Sequence, residues 1–453
     1  MNIDTAANKN TAVYPAKIPK SSLIGYSIAS LGGGMIDFPL SVFLLPFYTE
    51  IVGVKIAFVS LVALIIGMYD AITDPGVGIL SDRYKKRWNG RKVALLWGAI
   101  PLGLAFYWLF TPIQGYEALS FFVAYFIFIN ASDVVFVPYL SIGLELASEY
   151  HERMRVQSFS RGFWIAGLFL GIFIPVIFTS GTPDKAGAYS NMALLMGITM
   201  VVTVLFTYFF TRENPNVESS NTIPLKEQFT TTFKNKHFVI LFISFVLYNC
   251  AVAVQNAVFI YYSTNWLEVP ETKAMLAIPI YLVAAILSVP LWHKASARIP
   301  KKNLFFAALL FNVATSSMIF FIPRGEVYML YVIFGIAGIG YGCAYVVPQA
   351  ILSDVIDYDE YLCGKYRAGA YFGIWEFGRK ASYSFCVALT MQLLYLLGYV
   401  QQADQTVFVD NCIRAMISFL SAGFYLLGAI ALTFFKFNRE ESQAIQKLIQ
   451  ERN

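Results

Sequence analysis

Long apolar stretches alternate with short polar ones along the whole chain. A helix needs about 20 mostly apolar residues to cross the hydrocarbon core of a bilayer. Backbone groups in lipid must bond internally, so each such stretch reads as a helix. The pattern predicts twelve spans, at residues 24–52, 56–80, 93–113, 118–146, 158–180, 189–211, 237–267, 272–293, 304–323, 327–355, 369–399 and 410–435. The longest polar connection, RENPNVESSNTIPLKEQFTTTFKNK, follows the sixth span. It divides the chain into an N-terminal segment (1–23), a six-helix bundle (24–211), a central loop (212–236), a second six-helix bundle (237–435) and a tail (436–453). Inside the loop, KEQFTTTFKN reads as a short amphipathic helix on the membrane surface, and the tail reads as another helix solvated on one side. Helices 4 and 10 end alike, with Val-Pro followed by an acid in VPYLSIGLELASEY and VPQAILSDVIDYDEY, as a duplicated six-helix unit would leave.

Composition narrows the class. The chain has 453 residues, of which 57% are hydrophobic and only 13% charged, about half the share in a soluble protein. Mean hydropathy is +0.60. These values exclude a soluble multidomain protein, a disordered chain and a secreted disulfide scaffold. The net charge of +5 lies in short clusters between apolar runs, not on a phosphate-binding face, so no nucleic-acid partner is expected. With both termini in the cytoplasm, segments 1–22, 81–92, 147–157, 212–236, 294–303, 356–368 and 436–453 hold 25 of the 33 Lys and Arg residues. The opposite loops hold only Lys55, Lys185, Lys273 and Arg324. That bias orients the chain, with the lipid bilayer as its partner and the inner cell membrane as its place. Five cysteines and three histidines show no metal-ligand spacing. No phosphate-binding GxxxxGK[ST] loop and no set of nucleophile, base and oxyanion donor is present, so neither an enzyme nor an ATP-driven pump is expected.

Charges at bilayer depth cost a few kcal/mol each and mark function. The deep ones are Asp37 (helix 1), Asp70 and Asp74 (helix 2), Asp133 (helix 4), Arg161 (helix 5), and Glu376, Arg379 and Lys380 (helix 11); Glu145 and Asp354 lie nearer the cytoplasmic ends. In the first half, four acids face one arginine. Asp70 and Asp74, spaced i, i+4, share one helix face. Two such buried carboxylates repel. Either one is protonated, or a monovalent cation such as sodium sits between them with Thr73 and Asp133 as further oxygen ligands. The alternative is a structural network in which Arg161 or Lys380 neutralises them. Asp37 follows three glycines in SLGGGMIDFPL, and Phe38, Phe43, Phe47 and Tyr48 follow it. Carboxylates accept bonds from hydroxyls while rings cover C–H faces, a combination that suits a polyol. The helix 2–3 connection, GVGILSDRYKKRWNGRK, reads as a basic loop in which Asp82 and its neighbours form ion pairs that break between states.

Twelve helices, the 6+6 division and GxxxDR from Gly78 to Arg83 resemble the major facilitator superfamily. YDAITDPGVGILSDRYKKRWNGRK, VPYLSIGLELASEYHERMR, YLVAAILSVPLW and LSDVIDYDEYLCGKYRAGAYFGIWEFGRK narrow the resemblance to its glycoside–pentoside–hexuronide:cation symporters. The resemblance implies an all-α membrane protein of two six-helix bundles. It implies a monomer that couples sodium or proton influx to uptake of a sugar, glycoside or uronide by alternating access, with no cofactor beyond that cation. It places the cation site at Asp70, Asp74, Thr73 and Asp133, the solute site at Asp37, Arg161 and Tyr345 with Phe136 at the position of a family acid, and a coupling lysine at Lys380, which the neighbouring deep charges Arg379 and Glu376 join in a coupling network. The chain departs from the family pattern at three places. Phe136 replaces a helix 4 acid, Leu140 a sugar-stacking tryptophan, and Ile36 a lysine. Animal lysophospholipid transporters share the DAITDP segment, so an amphipathic lipid is the alternative solute.

Overall fold

The computed structural model describes residues 18–88, 91–146, 150–211, 232–296, 298–363 and 367–437; of residues 74–76, 78–88, 144–145, 150–151, 153–154 and 368 it describes only the helical backbone. Twelve long helices account for the described chain. They are α1 (Lys20–Ile51), α2 (Ile56–Trp88), α3 (Lys92–Leu109), α4 (Glu117–Glu145), α5 (Tyr150–Thr179), α6 (Lys185–Phe210), α7 (Lys236–Trp266), α8 (Ala277–Ser296), α9 (Lys301–Ile319), α10 (Val327–Cys363), α11 (Ala368–Leu396) and α12 (Val407–Thr433). Eleven of them are apolar enough to cross a membrane by composition alone. The other, α11, is long enough but carries Glu376, Arg379 and Lys380. The predicted amphipathic helix KEQFTTTFKN lies mostly outside the described residues, and the tail after 437 wholly so.

Several helices overrun their predicted ends. α2 continues through Pro75 to Trp88, α5 begins at Tyr150 and α10 runs 37 residues to Cys363. Much of the predicted loops 81–92, 147–157 and 356–368 is therefore helix. Apolar runs mark only the part of a helix that lies in hydrocarbon. Once past it, charged side chains are solvated and the helix can continue. α1 contains π-helical turns at Pro39–Phe43 and Phe47–Ile51. Each sits at or next to a proline, whose missing N–H removes one helical bond and loosens the turn.

Packing repeats with a displacement of six helices. α1 packs on α5 and α6, α2 on α4, and α3 on α4 and α6; α7 packs on α11 and α12, α8 on α10, and α9 on α10 and α12. Between the two sets the main contact is α2 against α11. α1 meets α5 through glycines. A Cβ on Gly34 would overlap the Trp164 carbonyl, one on Gly167 the Leu31 carbonyl, and one on Gly171 the Met35 carbonyl. This close backbone approach explains Gly34, while Gly32 lies against Thr203 and Met200 of α6 and Gly33 against the Phe136 ring. On the outer surface, Leu104, Ile177 and Leu287 are 62%, 70% and 70% exposed, as lipid-facing side chains would be.

The two sets join at the end away from the chain termini. There one core runs from Phe43, Phe47 and Tyr48 to Tyr261, Tyr262 and Leu394. Polar bonds reinforce it: Thr49 with Tyr261 (2.7 Å), the Tyr189 hydroxyl to Glu271 (2.9 Å), the Gln401 amide to the Val54 carbonyl (2.8 Å), and Ser60 to Gln392 (3.2 Å). Toward the termini, α7 and α9–α12 enclose a separate core around Trp375 and Phe245.

Candidate functional site

Asp70 lies midway along α2, where α11 crosses it. Lys380 Nζ is 3.0 Å from Asp70 Oδ1, with both side chains largely buried. Gly67, one turn earlier, allows this crossing, because a Cβ there would overlap Ser384. The Thr73 hydroxyl donates to the Tyr69 and Asp70 carbonyls at 3.0 and 3.3 Å, leaving its lone pairs as the only free function toward a ligand. Asp74 lies in α2 one turn beyond Asp70, and its side chain lies outside the described residues, as do those of Asp82, Arg83 and Glu145. The Tyr69 hydroxyl donates to Asn130 at 2.7 Å. α2 and α4 run parallel, since Phe58–Ile65 face Ala118–Phe122 at their starts. That register puts Asp133, three residues past Asn130, at the height of Ile72 and Thr73. Asp133 is buried. Asp354 pairs with Lys301 at 2.8 Å and so joins α9 to α10.

Asp37 is exposed although it lies inside α1, so it faces an opening within the helix assembly. It accepts no hydrogen bond among the described residues. The charges that reach it are those of Arg379 and Lys380 on α11. Arg379 Nε is 2.7 Å from Glu376 Oε2. Both side chains are about half exposed (44% and 48%). Tyr383, one turn after Arg379, feels Asp37 and Arg379, and bonds Asn256 of α7. Tyr345 is 41% exposed and stacks on Tyr341, at 5.8 Å between ring centres. Asp70 thus finds its counterion on the second six helices, and the charges nearest Asp37 lie there too.

Two sequence expectations need correction. Arg161, placed with Asp37 in one solute site, is not its cationic neighbour. Trp164 meets Gly34, so Arg161 lies three residues to the terminus side of that contact and Asp37 three to the other. With a rise of 1.5 Å per residue they are separated by about 9 Å along the axis. Arg161 instead lies beside Tyr26 and Tyr139 and over the Trp164 ring at 5.9 Å, with no ion pair among the described residues. Of the two cations offered as neutralising Asp70 and Asp74, Lys380 serves Asp70, and the Asp74 side chain lies outside the described residues. Finally, Phe38, Phe43, Phe47 and Tyr48 do not face the opening. They are buried, with Phe43 against Tyr189, Phe47 against Phe110 and Tyr48 against Phe121. The rings at the opening are tyrosines of α10 and α11. Phe136 is half-buried, edge-on to Tyr139 and against Gly33. Sequence reasoning missed Tyr341, Tyr383 and Asn256. Tyr383 was findable, because residues 376, 379, 380 and 383 share one helix face.

Residues 25–439 match the profile of a family described as MFS/sugar transport protein. The chain belongs to that family. It is a transporter and not an enzyme, embedded in the inner membrane by many passes. A solute and a coupling cation are its partners, as its place among the glycoside–pentoside–hexuronide:cation symporters requires. The glucuronide carrier protein homolog of Escherichia coli (strain K12) is 24% identical over 422 residues, covering 91% of this chain and 92% of that one. The isoprimeverose transporter of Lactiplantibacillus pentosus is 25% identical over 456 residues, covering 98% and 94%. The sphingosine-1-phosphate transporter MFSD2B of Mus musculus is 23% identical over 367 residues, covering 74% of each. Among solved structures, the nucleoside transporter NupG shares the fold, with a TM-score of 0.67 at 14% identity over 92% of this chain and 100% of the other.

Proposed function

We propose that this transporter couples influx of sodium or a proton to uptake of a sugar, glycoside or uronide. The observation that carries the reading is the Asp70–Lys380 pair, which closes a mid-membrane contact between the two six-helix sets beside the opening at Asp37. In the cation-free conformation Lys380 supplies the positive charge that Asp70 needs. A sodium ion or proton arriving at Asp70, Asp74 and Thr73, with Asp133 at the same height, takes over that task and releases α11 from α2. The solute binds between Asp37, Arg379 and the tyrosines. Arg161 then meets it on the way toward the terminus-side end.

The bundles that move are residues 24–211 and 237–435, joined by the cytoplasmic loop 212–236, with the segments 1–23 and 436–453 also cytoplasmic. The charge bias of the loops supports this orientation. It makes the joined end the outer one and this conformation inward-facing, and alternating access is rocking of one bundle on the other. The protein works as a monomer. Similarity to a sphingosine-1-phosphate transporter and the exposed Leu140 favour a second reading, an amphipathic lipid solute. A thermal-shift screen of the purified protein against sugars, uronides and lysolipids, with and without sodium, decides. Stabilisation by glycosides or uronides supports the proposal. Stabilisation by lysolipids alone refutes it.

A further inference from the structure

The Glu376–Arg379 pair lies on the cavity face of α11, and the family reading gives it no task beyond charge balance. Arg379 bonds Glu376 through Nε alone, at 2.7 Å. Its two terminal nitrogens make no hydrogen bond among the described residues, and both side chains stay about half exposed in mid-membrane. Lys380, the adjacent cation, is committed to Asp70. The nearby opening therefore holds two carboxylates, Asp37 and Glu376, against one guanidinium. Arg161 lies about 9 Å away along the helix axis.

We infer that Glu376 sets the charge selectivity of the solute site: by neutralising Arg379 it makes the cavity accept uncharged, hydroxyl-rich glycosides and reject their uronates. A neutral sugar can donate hydroxyls to Asp37 and Glu376 and accept from the terminal nitrogens of Arg379. A uronate brings a third carboxylate to a site with one guanidinium, where repulsion is poorly screened. Removing the charge of Glu376 leaves the guanidinium uncompensated, so that its open terminal nitrogens can hold a carboxylate in a planar, two-bond contact without a competing anion.

This inference rests on the sugar reading above, and the test separates the two. The probes are the methyl glycosides of glucose and galactose and the methyl glycosides of glucuronic and galacturonic acid, which differ only in carrying a free carboxylate at C6. Their dissociation constants are measured calorimetrically on the full-length protein at saturating sodium. Wild type should prefer the neutral member of each pair. Glu376→Gln should shift the ratio toward the uronate by roughly tenfold or more, the scale of one hydrogen bond to a charged group. Glu376→Asp, which keeps the charge, should keep the wild-type preference. Arg379→Gln, which strips the cation and leaves both carboxylates, should reject the uronate more strongly than wild type. That variant keeps the inference testable if Glu376→Gln does not fold. Uronate preference in wild type, an unchanged ratio in folded Glu376→Gln, or improved uronate binding in Arg379→Gln overturns the inference while the sugar reading stands. Failure of wild type to bind either member overturns both.

Discussion

A carboxylate that faces an opening and accepts no hydrogen bond among the described residues, as Asp37 does, is available to a solute hydroxyl. Hydrogen bonds to charged groups are worth about 1.5–3 kcal/mol. Asp37→Ala should therefore weaken solute binding by roughly ten- to a hundredfold. Sodium binding should change much less, since Asp70 lies on another helix and is held by Lys380. Separate calorimetric titrations of solute and sodium check this, and equal loss of both affinities would give Asp37 a structural role instead. At Lys380 the expectation differs. Lys380→Gln leaves Asp70 without its cation, so sodium or a proton should bind more tightly. Net uptake should slow, because the empty carrier can no longer neutralise Asp70, while solute exchange should persist. If net uptake and exchange fall together, Lys380 has another role. The depth of these charges was legible in the sequence, because insertion cost singles them out. Their pairing was legible only in part: Lys380 stood as one of two cations that could neutralise Asp70 and Asp74, and it does pair with Asp70. The approach of Arg379 and Lys380 to Asp37 depends on how α11 lies in the assembly, which periodicity does not encode.

Helices approach closely only where side chains are absent, so the α1–α5 contact depends on Gly34, Gly167 and Gly171. Gly34→Val would drive a side chain into the Trp164 carbonyl. Overpacking of this kind costs about 1–3 kcal/mol, and the thermal midpoint in detergent should drop. Gly423 on α12 meets nothing within 4 Å. Gly423→Ala should leave the midpoint unchanged or raise it, because alanine loses less entropy on entering a helix. Equal losses at both positions would mean that backbone approach is not what Gly34 provides. The twelve helices were visible as apolar runs, even α11 with its three charges. Their ends were not, because α2, α5 and α10 continue past the hydrocarbon on polar residues. The aromatics after Asp37 misled for a related reason. Two π-helical turns and the packing of α1 on its neighbours turn Phe43, Phe47 and Tyr48 into the core.

Rocking of two bundles requires that one end open as the other closes, and beyond the mid-membrane Asp70–Lys380 pair the bonds Thr49–Tyr261, Tyr189–Glu271, Gln401–Val54 and Ser60–Gln392 join the sets at the end away from the termini. Ser60 and Gln392 meet there at 3.2 Å. Replacing both with cysteine and joining them with a short thiol crosslinker should stop transport while leaving solute binding from the terminus side intact. Transport that survives crosslinking would show that this end need not open. The repeat of packing partners at a displacement of six makes such rigid-body motion a natural division of the molecule. Coupling is the claim that rests most directly on the deep acids. It is tested by reconstituting wild type and Asp70→Asn in proteoliposomes and measuring accumulation of a labelled glycoside under an imposed inward sodium or proton gradient. The account predicts accumulation above the external concentration in wild type under at least one of the two gradients, and only downhill equilibration in Asp70→Asn. Uphill accumulation that persists in Asp70→Asn, or wild-type uptake indifferent to both gradients, would contradict it.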